Sequence, residues 1–159
     1  MITVSTSRAK ALAEGREPPR DESYAVARSL VEQAGHSVVA YKVVSDDPVE
    51  IVEAVAGLAL SGAADIIVTM GGTGPTKSDV TVETLRPLFS KELEGFGCLF
   101  RHLSYEEVGS AAFLSNATAG VIGEAVVFAL PGSPGAARLA LEKLILPEAG
   151  HVVGLVRRE

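Results

Sequence analysis

The chain has 159 residues, 47% of them apolar and 21% charged, a balance that suits one globular domain with a sizeable core. Its formal charge of −6 argues against broad nucleic-acid binding, which needs lysine and arginine to displace phosphate counterions, yet allows a small anion held by backbone N–H groups. The lone cysteine, Cys98, excludes an internal disulfide and a multi-cysteine metal site and fits a reducing cytoplasm, while no apolar run approaches the roughly 20 residues of a membrane span.

Ile2-Thr3-Val4-Ser5-Thr6 is short and β-branched and reads as a first strand. Met1 lies almost inside it, which points to a start further upstream. The N-terminus does not resemble a signal peptide, because Arg8 and Lys10 follow the apolar stretch instead of preceding it. Residues 7 to 20 read as a polar loop with Gly15, Pro18 and Pro19, long enough to carry a function or be mobile. Asp21 is placed to cap a helix with the apolar stripe Ala25, Val26, Leu30 and Val31, ended by Gly35. Ser37 to Val44 reads as the second strand. Ser45-Asp46-Asp47-Pro48 opens a second helix, with Ile51, Val52, Val55, Leu58 and Ala59 inward.

Ala64 to Met70 is nearly all apolar and reads as a central strand. A glycine turn follows, then a helix from about Asp79 to Leu88. Gly95 to Val108 predicts a further helix with Phe96, Leu99, Phe100 and Leu103 on one face and Cys98 packed on its apolar side. Ala117 to Leu130 holds two strand-like pieces, broken near Gly123-Glu124. Ser133 and Pro134 start a helix through Leu144, and the pattern from Leu146 to Val156 favours no one state.

This alternation predicts a three-layer α/β/α sandwich with a mostly parallel central sheet, residues 1–159 forming one domain. In such sheets ligands sit beyond the carboxyl ends of the strands. Four polar segments fall there: Ser5-Thr6-Ser7-Arg8, Ser45 to Asp47, Gly71 to Asp79, and Pro131-Gly132-Ser133-Pro134.

In Gly71-Gly72-Thr73-Gly74, glycines allow positive φ and bring N–H groups to a ligand with no Cβ in the way, which makes an anion cradle or a sharp strand-to-helix bend. Asp79 behind it is a helix cap or a Mg²⁺ ligand, and Asp46 at the neighbouring strand end poses the same choice. The Pro131–Pro134 turn starts a helix and also offers N–H groups to an anion. Ser5, Thr6 and Ser7 are hydrogen-bonding candidates, and Arg8 is a phosphate fork or a solvated side chain. His36, His102 and His151 are scattered outside the glycine turns, so no histidine triad is available.

Thr69 to Thr81, Glu94-Gly95-Phe96-Gly97, Phe100-Arg101, Leu103-Ser104, Ala117 to Val121 and Leu130 to Pro134 together resemble the MoaB/Mog family of molybdenum-cofactor biosynthesis proteins, as do Val4 to Arg8 and the aspartates after the second strand. The resemblance runs to about residue 147. It implies an adenylyl transfer in which molybdopterin and Mg-ATP give adenylyl-molybdopterin and pyrophosphate. It further implies Asp46 and Asp79 as catalytic Mg²⁺ ligands, Gly71 to Gly74 as the phosphate cradle, Pro131 to Pro134 beside the nucleotide, and a cytoplasmic homotrimer or homohexamer. The chain departs from the family pattern at Ser78 and Asn116, where arginine is usual, at Val82, where proline is usual, and at Tyr24, where glycine is usual. Two lost arginines remove two charge-assisted phosphate contacts, which motivates the alternative of a non-catalytic molybdopterin-binding protein.

Overall fold

The computed structural model describes residues 1–158. Six strands form one sheet in the order β2-β1-β3-β6-β5-β4: β1 (Ile2–Val4), β2 (Lys42–Val44), β3 (Ile66–Met70), β4 (Lys91–Glu92), β5 (Thr118–Ile122) and β6 (Ala125–Leu130). β2, β1, β3 and β6 run parallel, whereas β5 returns antiparallel to β6 and pairs antiparallel with β4 at the edge. The reversal comes from Gly123, which takes φ +58° in the tight turn between β5 and β6.

Strand alternation explains why the middle of the sheet is apolar throughout. Along β6, Val127 and Ala129 face one core while Val126, Phe128 and Leu130 face another. The first face is covered by α3 (Pro48–Leu60) and α4 (Thr81–Leu85), through Ile51, Val55, Val82 and Leu85. The second is covered by α2 (Glu22–Gln33), α5 (Glu94–Val108), α6 (Pro134–Ala140) and α7 (Leu146–Val156), through Ala27, Phe100, Ala137 and the partly buried Val152. The result is the three-layer sandwich that the alternation predicts.

Four segments differ from the sequence expectation. The loop expected over 7–20 is shorter, because α1 (Thr6–Ala13) occupies its first half. Alanine, leucine, lysine and arginine dominate that stretch, and Gly15 at φ +68° ends it, with Gly15 N–H bonded to Leu12 O and Arg16 N–H to Ala11 O. The second strand begins at Lys42 rather than Ser37, and the helix expected from Asp79 begins at Thr81, its last turn tightening to 3₁₀ over Arg86–Leu88. The unassigned 146–156 stretch is helical: α6 runs through a π turn, Leu141–Ile145, directly into α7. Pro147 lacks the N–H that a regular helix uses, and the π turn ahead of it re-registers the backbone. Leu99 and Cys98 are also exposed instead of packed, because α5 turns only Gly97, Phe100 and Ser104 fully inward.

Candidate functional site

β1, β2, β3 and β6 all end on one edge, and the loops that follow meet there. The first β3 turn is fixed from three sides. Gly71 N–H donates to Leu130 O of β6 at 2.9 Å, the Thr81 hydroxyl donates to Gly71 O at 2.9 Å, and Thr81 N–H donates to Gly72 O at 3.0 Å. Gly71 and Gly72 take φ of +112° and +68°. A methyl group on Gly71 would fall 2.3 Å from Val4 O, and one on Gly72 would fall 2.3 Å from Thr81 Oγ1. These glycines therefore answer a steric demand, and the turn keeps its backbone within reach of a ligand.

The second turn packs directly on the first. A Cβ on Gly132 would lie 3.4 Å from Gly71 Cα, and Gly132 O is held by the Ser23 hydroxyl at 2.6 Å. Ser133 caps α6 by accepting from Ala136 N–H at 3.2 Å, with Pro134 as the first helical residue. Both glycine turns thus belong to one surface.

The two aspartates flank that surface. Capping of α3 is done by Asp47, whose Oδ1 accepts from Val49 N–H at 2.8 Å and Glu50 N–H at 3.2 Å. Asp46 is freed from that task. Its Oδ2 is gripped by Thr6, through the backbone N–H at 3.0 Å and the hydroxyl at 2.7 Å, and its Oδ1 would be 3.4 Å from a Cβ on Gly72. Asp79 lies ahead of α4, where Val80 occupies the capping position. Asp79 Oδ2 accepts from the Thr76 hydroxyl at 2.5 Å and Thr76 N–H at 2.9 Å, and it would be 2.7 Å from a Cβ on Gly74. The Thr76 hydroxyl, joined by the N–H groups of Thr76 and Gly74, holds this carboxyl below its ordinary value despite partial desolvation, so it stays ionised well into acid.

Ser5, Ser7 and Arg8 are placed differently. The two serine hydroxyls pair with each other at 3.2 Å at the start of α1. The Arg8 guanidinium turns toward the α1–α2 connection, donating to Pro19 O and to Arg20 O, and stands 4.0 Å from Asp21. Thr73 is fully inside the turn and accepts Asn116 N–H on its carbonyl at 3.0 Å. Thr76, Thr81 and Ser23 are supports that the sequence reading passed over. The signal for Thr81 was its position two residues beyond Asp79, where a hydroxyl reaches back to the glycines.

The fold and this surface define an α/β protein with two glycine turns packed on each other beside two carboxylates, at the carboxyl ends of its parallel strands. The chain matches the family described as "Probable molybdopterin binding domain" over residues 1–151. It is 46% identical to molybdenum cofactor biosynthesis protein B of Bacillus cereus, across 93% of this chain and 88% of that protein. To the protein of the same name from Bacillus subtilis it is 45% identical, across 100% and 89%. Among solved structures it superposes on the tungsten cofactor synthesizing protein MoaB of Pyrococcus furiosus with a TM-score of 0.86 and 42% identity, covering 99% of this chain and 94% of that one. The Mog protein of Mycobacterium ulcerans gives a TM-score of 0.81 at 27% identity, covering 98% and 96%. The chain belongs to the MoaB/Mog family of molybdenum-cofactor biosynthesis proteins, and its role lies in that biosynthesis.

Proposed function

We propose that the protein catalyses Mg-ATP-dependent adenylylation of molybdopterin, giving adenylyl-molybdopterin and pyrophosphate, and does so as one domain spanning residues 1–159. The observation that carries this reading is the placement of the Asp46 carboxylate against Gly72 and the Asp79 carboxylate against Gly74. In the reaction a phosphate oxygen of molybdopterin attacks the α-phosphorus of ATP. The bond from that phosphorus to the bridging oxygen breaks, and its electron pair leaves with pyrophosphate.

The donor set suits Mg²⁺. Among the described residues no third histidine, cysteine or acid joins the two aspartates in a metal-holding group. Two carboxylates are what this ion takes when it keeps waters and shares substrate phosphates. Asp46 and Asp79 would hold the metal, which would neutralise charge on the nucleotide. The chain's own part is positioning. Gly71 N–H is engaged by Leu130 O and Gly74 N–H by Asp79, so the cradle's donors would be the N–H groups of Gly72 and Thr73, joined by the start of α6, while Thr6 and Thr76 fix the carboxylates. No protein nucleophile is required, consistent with a site that lacks histidine.

Incubation with molybdopterin, ATP and Mg²⁺ is expected to release pyrophosphate, and Asp79→Asn to abolish the release. An active Asp79→Asn variant would sink the assigned role. The second reading, a molybdopterin-binding protein without catalysis, is favoured by Ser78 and Asn116 standing where the family pattern has arginine. Calorimetry separates the two, since this reading expects pterin affinity without nucleotide turnover. We place the protein in the cytoplasm as a homotrimer or homohexamer. The described helices include none long and apolar enough to cross a membrane.

A further inference from the structure

A second cleft opens on the β4 and β5 side of the glycine turns, with a volume of about 290 Å³. One wall is a stripe of α5 that carries Glu94, Gly97 and Arg101, and the other is β4 and the start of β5, with Glu92 and Thr118. Ala117, also in the lining, follows Asn116, whose N–H donates to Thr73 O at 3.0 Å. The cleft therefore adjoins the first glycine turn.

Its charged groups are unequally engaged. Glu92 Oε1 accepts from Arg86 Nε and from the Thr118 hydroxyl, each at 2.9 Å. Arg101 leans back over Gly97, as long helical side chains do. A Cβ on Gly97 would stand 3.1 Å from Arg101 Nη1, 3.2 Å from its Nη2 and 2.6 Å from Ala117 O. Glycine at this position is what lets the guanidinium lie in the cleft. Arg101 commits only Nη1, to Ala117 O at 3.3 Å. Glu94 precedes Gly97 by three residues, about 4.5 Å along the axis at 1.5 Å per residue, on the same stripe. Neither Glu94 nor Arg101 has an ion-pair partner among the described residues.

Such a pair selects by chemistry. Arginine only donates and a carboxylate only accepts, so side by side they require a carbonyl oxygen next to N–H groups. A simple anion would meet two acids in this cleft, and a simple cation two arginines. A planar ring with a carbonyl, a ring N–H and an exocyclic amino group in a row satisfies both sides. That is the 2-amino-4-oxo pyrimidine edge shared by pterins and guanine. We propose that the cleft reads this edge, Arg101 donating to the oxo oxygen and Glu94 accepting from the ring N–H and the amino group. Resting on the adenylylation reading, the same proposal seats the pterin ring of molybdopterin here, with its phosphate toward the Gly72–Thr73 backbone.

The test titrates the full chain with 6-hydroxymethylpterin, with 6-hydroxymethyllumazine, in which an oxo group replaces the amino group, and with guanosine. ATP and Mg²⁺ are left out. The chain has no tryptophan, so pterin fluorescence reports binding directly, with calorimetry beside it. The pterin is expected to bind saturably and about tenfold tighter than the lumazine. Glu94→Gln is expected to erase that preference. Arg101→Met is expected to weaken pterin binding about tenfold, with partial recovery in Arg101→Lys and every variant folded by circular dichroism. Equal binding of pterin and lumazine, pterin binding unaffected in both variants, or no saturation at about millimolar pterin overturns the proposal. Guanosine binding tighter than the pterin keeps the edge but overturns the seat given to molybdopterin. Because no nucleotide triphosphate is present, failed pyrophosphate release with the pterin preference intact counts against the catalytic reading alone.

Discussion

The two edges of one sheet are finished in opposite ways. At the carboxyl edge, turns replace side chains: Gly71, Gly72 and Gly132 are crowded against each other and against Val4 O and the Thr81 hydroxyl, and every neighbouring donor is polar. At the amino edge, apolar side chains from two helical layers surround backbone that β1 leaves unpaired. The same parallel strands thus end in crowded polar turns on one side and border an apolar cavity of about 440 Å³ on the other. What differs is whether the backbone groups are aimed by turns or merely left over by a short neighbour.

Perturbations at the two edges should separate cleanly. The largest effect is expected at the carboxyl edge: Asp46→Asn and Asp79→Asn should each lower pyrophosphate release per folded molecule by about 10³-fold, the several kcal/mol that a metal ligand contributes. Unchanged release per folded molecule, with melting lowered, would instead make these carboxylates structural. Next, Leu141→Ala at the amino edge, fully buried in the wild type, should cost about 3 kcal/mol in chemical denaturation and leave turnover per folded molecule intact. A drop in turnover would couple the edges and break the comparison.

Gly72→Ala should cost roughly 2 kcal/mol, from positive φ and from the 2.3 Å approach to Thr81, and should also weaken nucleotide binding. Gly15→Ala shares the positive φ but meets nothing within 4 Å, so only the conformational part, about 1 kcal/mol, should appear. Ser133→Ala should cost about 1 kcal/mol through loss of the α6 cap.

The smallest effect concerns pH. Asp79 is held below its ordinary value of 3.8, chiefly by the Thr76 hydroxyl. A depressed carboxyl contributes stability that is present above the unfolded value and is lost as pH falls through the folded one. Its carboxyl-carbon titration by NMR should therefore have a midpoint below 3.8 in the wild type. Thr76→Ala should move that midpoint back up, and an unchanged midpoint would contradict the assigned cause.

Much of this was readable in the residues. Asp21, Pro48, Ser133 and Gly35 mark helix ends by local chemistry, and each acts in the structure as its type predicts. The fold class followed from alternation of apolar periods. What could not be read were outcomes that depend on distant partners. Whether Asp46 or Asp47 capped α3 was decided by Thr6, forty residues away, which claims Asp46. The helix through Pro147 and Gly150 is held by packing of Ile145 and Ala149, both buried, not by propensity. Arg8 was committed by carbonyls of a loop whose path the sequence did not show.

The central claim is that Gly71 to Gly74, with Asp46 and Asp79, is a Mg-nucleotide site. Crystals soaked with ATP and Mg²⁺ test it most directly. The account predicts phosphate density on the Gly71–Gly74 backbone and a metal touching both aspartates. Nucleotide bound elsewhere, or bound there with neither carboxylate on the metal, would contradict it.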